Sequence, residues 1–197
     1  MRMLNLALQG GGSHGAFTWG VLDALLDDGR IGFEGLGGAS AGALNAVALA
    51  SGWATAEAAG RDPREGARRQ LAAVWNRVAG WGSLGTLQRD FLRLLWGGWT
   101  AGVLGAAPWR GVVSPYDANP LNLNPLRELL QEEIDFGAIR AHGRLKVFVS
   151  ATHVTTGKAV VFTGERLDAP AVLASACLPL LFHAVEIDGE AYWDGGY

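Results

Sequence analysis

The sequence predicts a single α/β domain built on a mostly parallel central sheet. Two observations carry that expectation. Short apolar runs of strand length alternate with runs of helix length from the first residues on, the order that right-handed strand–helix–strand crossovers require. Two glycine-bearing turns, Gly10-Gly11-Gly12-Ser13-His14-Gly15 and Gly38-Ala39-Ser40-Ala41-Gly42, each fall between a strand and a helix. At 197 residues, the stretch 1–197 suits one domain with a substantial core.

Residues 3–9 read as a short buried strand closed by three glycines. Residues 15–28 read as a helix, with Phe17, Val21, Leu22, Leu25 and Leu26 on one stripe and Gly29 just past its end. A second strand covers 33–38, and a helix of small residues over 41–51 suits close packing on a sheet. Two helices are expected between about 64 and 95, one carrying Leu71, Val74 and Val78, the other Leu87, Phe91, Leu94 and Leu95. Residues 96–124 are rich in Gly, Pro and Asn and lack periodicity; so long a loop inside a domain is usually functional or mobile. Asn124 caps a helix over 125–133 that has Pro125 in its first turn. A strand at 145–150, a Thr-Thr-Gly turn, a strand at 159–162 and a helix over 170–177 follow. Strands at 184–187 and 190–193 flank Asp188-Gly189, a strong two-residue hairpin signal.

Composition narrows the function. Hydrophobic residues make up 49% and charged residues 18% of the chain, the latter below the roughly 25% usual for soluble domains. Either the core is large or some surface faces something apolar. A formal net charge of −3, with no basic run, argues against a nucleic-acid partner. Cys177 is the sole cysteine, which excludes an intrachain disulfide and suits a small buried hydrophobe. The apolar run at the N-terminus is too short for a signal-peptide core. The longest uncharged apolar stretch, 94–109, is shorter than the ~20 residues of a membrane span and is broken by glycines and Pro108. The expectation is a cytoplasmic protein whose membrane contact, if any, is peripheral.

Gly38-Ala39-Ser40-Ala41-Gly42 has the G-x-S-x-G pattern of a nucleophile elbow in the context that gives it meaning, between a strand and a helix. A tight turn there strains the serine backbone and presents Oγ at the sheet edge. The bland reading is a plain strand–helix turn with a capping serine. Gly10 to Gly15 shifts the balance. If the first two strands are parallel neighbours, both loops emerge at one edge, where ligands of open α/β sheets sit. The N–H groups of Gly10, Gly11, Gly12, Ser13, His14 and Gly15 would then face the carbonyl attacked by Ser40, with helix N-termini pointing at the developing oxyanion. The same loop matches the dinucleotide pattern G-x-G-x-x-G. That reading wants an acid at the end of the second strand, where Ser40 stands instead.

Two bases compete. A Ser-His-Asp triad could combine Ser40, His183 and either Asp135 or Asp168, but the elbow arrives after only one strand and one helix, early for that architecture. Of the other histidines, His153 reads as a strand-end residue and His142 as a surface one. Asp194 sits in Trp193-Asp194-Gly195-Gly196, where glycines permit a sharp turn that aims the carboxylate; a β-turn aspartate is the bland alternative.

The segments GGGSHG, GASAG and DGG, in that order, resemble the patatin-like phospholipase family. So do the longer stretches LNLALQGGGSHGAF, GASAGALNAVALA and ASACLPLLFHAVEIDGEAYWDGG, which are similar to bacterial members. The resemblance implies a three-layer α/β/α fold and a dyad of Ser40 as nucleophile and Asp194 as base. It also implies an oxyanion loop at Gly10 to Gly15 and hydrolysis of lipid acyl esters through an acyl-enzyme, with no metal or cofactor. His14 departs from the arginine or lysine of many members, so the charge there depends on pH.

Aspartate is a weak base near its ordinary pKa of ~3.9, so the dyad requires Asp194 to be partly desolvated beside Ser40. Trp75, Trp81, Trp96, Trp99 and Trp109 crowd one stretch; they suit either a lipid-docking flap within 96–124 or ordinary core filling. The family normally continues beyond the position of Tyr197, so the chain reads as truncated. Reduced stability is then expected, and a catalytically silent lipid-binding remnant is the competing non-enzyme reading. Head group, chain length, positional preference and oligomeric state are written in no motif.

Overall fold

The computed structural model describes residues 2–81, 114–179 and 181–197. Strand β1 (Arg2–Leu8) leads through a 3-10 turn (Gly12–His14) into α1 (Gly15–Asp28), which Gly29 ends in the left-handed conformation, φ 71°. Strand β2 (Ile31–Gly38) and helix α2 (Ala41–Ala58) follow, then α3 (Pro63–Trp81). Beyond residue 113 come α4 (Pro115–Ala118), α5 (Pro125–Glu133), α6 (Phe136–His142), β3 (Lys146–His153), β4 (Ala159–Phe162), a 3-10 turn (Gly164–Arg166), α7 (Ala169–Ser175), β5 (Val185–Ile187) and β6 (Glu190–Asp194). The second helix expected before residue 95, and residues 96–113 of the expected flap, lie outside the described residues.

The α/β expectation holds, with a mixed sheet consistent with three layers. β1, β2 and β3 are parallel neighbours joined by helical crossovers. β4 pairs antiparallel with β3 and β5 with β6, each pair joined by a short turn, and β6 also lies antiparallel to β3. Asp188 and Gly189 make one such turn, both at positive φ (55° and 80°), the geometry a two-residue hairpin demands.

Helix α2 lies between the sheet and α3, and this explains its composition. Residues from Ala41 to Gly52 are buried without interruption, so it has no polar face and its small side chains let the layers approach. It runs past the expected stop at residue 51, because Gly52 costs only about 1 kcal/mol in a helix interior. Leu71, Val74 and Val78 are the buried stripe of α3, as their spacing predicts.

The stripe assigned to α1 needs correction. Leu22 and Leu26 are buried, but Phe17 is 78% exposed and Val21 44% exposed. Positions five apart lie about 140° apart around a helix, so Phe17 cannot share the face of Leu22. Helix α6 was not expected: it is capped by Asp135, ended by Gly143 and buries only Ile139, too few apolar positions for a periodic signal.

One feature of the sheet positions the site. β4 pairs with β3 from Val149 to Thr152, overlapping both the β2 contact, which ends at Gly38 opposite Val149, and the β6 contact, which ends at Asp194 opposite Ala151. A strand has two edges, so β2 and β6 must share the edge that β4 does not occupy. Their C-terminal ends therefore meet head-on at a seam beside Ser150.

Candidate active site

Ser40 is the hinge between β2 and α2, at φ 54° and ψ −124°. Side-chain-bearing residues rarely adopt this conformation, which costs on the order of 1–3 kcal/mol and persists only where the surroundings enforce it. The enforcement is visible. Gly42 N–H donates to Ala39 O at 2.9 Å, closing the turn, and Ser40 N–H donates to Ser175 O at 3.1 Å and to Ser175 Oγ at 2.9 Å. Glycine is required at Gly42, where a methyl group would run into Leu8 O, and at Gly38, where it would strike the main chain of Gly42 and Ala43.

The glycine loop stands against the elbow, as parallel pairing of β1 and β2 demands. A methyl group on Gly10 would lie 2.9 Å from Ala39 O and 3.4 Å from Ser40 Cβ. Not all six loop amides are available. His14 N–H donates to Gly11 O, and Gly15 N–H points to Gly12 O and Ser13 O. Gly10, Gly11, Gly12 and Ser13 carry the amides that the turn does not consume, and Gly11 and Gly12 stand at φ 109° and 60°. His14 is exposed, its Nδ1 3.0 Å from Gly11 O, a contact that needs the proton on Nδ1. The start of α1 is tied down from behind: buried Asn45 donates to Gly15 O at 2.9 Å and accepts from Trp75 Nε1–H at 2.8 Å.

Asp194 ends β6 on the far side of the seam and is 4% exposed. The following loop lies against the elbow, for a methyl group on Gly195 would stand 3.0 Å from Ala39 Cβ. Asp194 Oδ1 accepts from Gly196 N–H at 2.8 Å, whereas Oδ2 is buried without a hydrogen-bond partner. Burial pushes this carboxyl above the ordinary carboxylate range. Gly196 N–H and the Ser40 hydroxyl oppose the shift; the hydroxyl is near enough to stabilise the carboxylate without closing a hydrogen bond of full geometry. Cys177 next to it is a fully buried thiol pushed up to about 12, by burial first and then by the charge of Asp194. Such a thiol is chemically inert at neutral pH.

The competing triad is not assembled. Asp135 and Asp168 cap helices, accepting from Ala138 N–H and Ala171 N–H. His183 stacks on Tyr116 with ring centroids 4.1 Å apart. His142 and His153 face Glu57 and Glu190, and His142 is less exposed than a surface residue, at 9% of its side chain. Among the described residues no group of three or more His, Cys, Asp or Glu could hold a metal ion, and no helix is long and apolar enough to cross a membrane.

Ser175 and Asn45 are the contributors that sequence reasoning missed. Each is a lone polar residue in an apolar helix, a pattern that carries no site signal. Cavities of about 270 and 380 Å³ border Gly52, Thr55 and Gln70 or Ser51, Thr55 and Gln70, and so lie at the end of α2 remote from Ser40.

A family model described as patatin-like phospholipase matches residues 6–197. No curated protein matches the chain. Among solved structures, the crystal structure of VipD from Legionella pneumophila is similar at 18% identity and a TM-score of 0.45, covering 98% of this chain and 46% of that chain. The chain thus spans less than half the length of VipD. With the family model running over nearly all its residues, the chain belongs to the patatin-like phospholipases, a family of lipid acyl hydrolases.

Proposed function

We propose that the protein hydrolyses lipid acyl esters with Ser40 as nucleophile and Asp194 as general base, through an acyl-enzyme. Ser40 Oγ attacks the ester carbonyl as its proton passes to Asp194. The amides of Gly10, Gly11, Gly12 and Ser13, with the N-terminus of α2, receive the oxyanion; one such donor is typically worth about 3 kcal/mol of transition-state stabilisation. Asp194 returns the proton to the departing alcohol, then takes a proton from the water that attacks the acyl-enzyme and passes it to Ser40 Oγ as the fatty acid leaves. An ordinary aspartate is a weak base, and burial of Asp194 acts in the direction that general-base work requires, raising its pKa.

The observation that carries the reading is the seam. β2 and β6 end against each other on one edge of β3, which supports pairing Ser40 at the end of one with Asp194 at the end of the other, a buried carboxyl with an unpartnered oxygen. The test is turnover of a soluble p-nitrophenyl ester, with fluorophosphonate labelling of the serine. Ser40→Ala and Asp194→Asn are each expected to lower kcat by about 10³-fold or more in folded protein. Near-normal turnover by either removes the mechanism.

A further inference from the structure

The seam between β2 and β6 leaves a gap in the sheet's hydrogen bonding, and one side chain fills it. Ser150, between the residues that face Gly38 and Asp194, directs its carbonyl into the gap. Ser175 Oγ–H donates to that carbonyl at 2.7 Å, and the same oxygen accepts Ser40 N–H at 2.9 Å. The hydroxyl's direction is thereby set: it cannot donate to one partner without presenting a lone pair to the other.

The main chain around Ser175 reaches the other half of the site. Ser175 O accepts from both Ser40 N–H (3.1 Å) and Gly195 N–H (3.3 Å), and Cys177 O accepts from Asp194 N–H at 2.8 Å. Two residues, Ser175 at the end of α7 and Cys177 just beyond it, thus hold the backbone on both sides of the seam. Ser175 is fully buried, so water cannot substitute for its hydroxyl.

We propose that Ser175 is a positioning residue that sets the nucleophile against its base, holding Ser40 in its strained conformation and the loop after Asp194 in register with it. The proposal rests on the reading of Ser40 and Asp194 as the reacting pair. Ser175 touches neither the substrate nor the reacting atoms; it acts through the backbone of both. A displacement of about 1 Å at a reacting group can cost 10²-fold in rate, so a side chain that decides where Ser40 sits acts on kcat.

The test compares Ser175→Ala with Ser51→Ala in the full chain, using a p-nitrophenyl ester. Ser51 is the matched control: it is also buried, and its hydroxyl also accepts a backbone amide, Asp135 N–H at 3.0 Å, but at the remote end of α2. Both variants are expected to melt lower than the wild type. Ser175→Ala alone is expected to lose about 10- to 100-fold in kcat with KM within about twofold, and to label more slowly with a fluorophosphonate. Its acid limb in the pH–rate profile should move to higher pH, because a displaced Ser40 hydroxyl no longer helps to stabilise the Asp194 carboxylate.

Folded Ser175→Ala with wild-type kcat and an unmoved acid limb overturns the proposal, as does an equal kcat loss in Ser51→Ala. Should Ser175→Ala not fold, Ser175→Cys is measured instead, its weaker donor giving a partial loss; an unchanged kcat there is equally fatal. The underlying reading fails separately, through an active Ser40→Ala protein. A wild-type chain that neither turns over nor labels overturns both.

Discussion

Gly10 and Ser40 are packed so closely that the first has no room for a side chain: a Cβ there would sit 3.4 Å from Ser40 Cβ and 2.9 Å from the carbonyl oxygen before it. The contact joins the two turns that the proposed chemistry needs, and neither neighbour can yield, since both belong to the elbow. Gly10→Ala is therefore expected to shift the amide loop away from Ser40. The expected outcome is a kcat loss of about 10- to 100-fold with a stability loss of about 1–3 kcal/mol from overpacking. Steady-state kinetics beside urea denaturation measure both, and unchanged kcat would show that the loop does not serve the reaction.

Asp194 makes a prediction with a definite sign. Burial raises its folded pKa above the unfolded value, so the folded state holds this proton more tightly than the unfolded one. Its contribution to stability is fully present below the unfolded pKa and is lost as pH rises through the folded pKa. At neutral pH the carboxylate is consequently a destabilising charge. Asp194→Asn should melt higher than the wild type at pH 7, by about 2–4 °C for each 1 kcal/mol recovered, with the gain vanishing in acid. Calorimetry at two pH values checks this; a variant that melts lower at pH 7 contradicts it.

The same shift governs rate. A general base works only when deprotonated, so activity should fall as pH drops through the raised pKa of Asp194. The acid limb of kcat/KM is expected above the ~3.9 of an ordinary aspartate. A limb at or below that value would mean that the buried carboxyl is not the base.

Asn45 links Gly15 O, at the start of α1, to the indole of Trp75 in α3. Asn45→Ala removes both hydrogen bonds and should destabilise the fold by about 1–3 kcal/mol. The urea midpoint should fall with the m-value unchanged, since the residue joins elements without changing how much surface unfolding exposes. A midpoint equal to the wild type would show that the link is incidental.

His183→Ala addresses the rival triad. Its ring stacks on Tyr116, and it should retain kcat within about threefold, allowing for small shifts of the Tyr116 contact. A loss of the size expected for Ser40→Ala would restore the histidine-based mechanism.

Much of the local structure was legible because it is decided within short segments. Asn124 with Pro125 marked the start of α5, Asp188-Gly189 marked the hairpin, and the spacing of Leu71, Val74 and Val78 gave the buried face of α3. The elbow was legible for the same reason: Gly38 and Gly42 answer contacts within a few residues of Ser40 or with the adjacent strand end. Where the local pattern was thin, reading failed. Helix α6 has one buried side chain, and Phe17 is apolar yet faces outward, because a hydrophobic residue near a stripe is not thereby on it.

The sequence by itself determined the alternation of strands and helices, the two glycine turns and the family. Tertiary structure alone decided that β2 and β6 share one edge of β3, that Asp194 is buried at the seam between them, and that Ser175, 135 residues beyond the serine, grips its amide. The reason is physical. Turn chemistry and periodicity are properties of neighbouring residues, whereas strand pairing and the burial of a charge depend on which distant surfaces meet when the core closes.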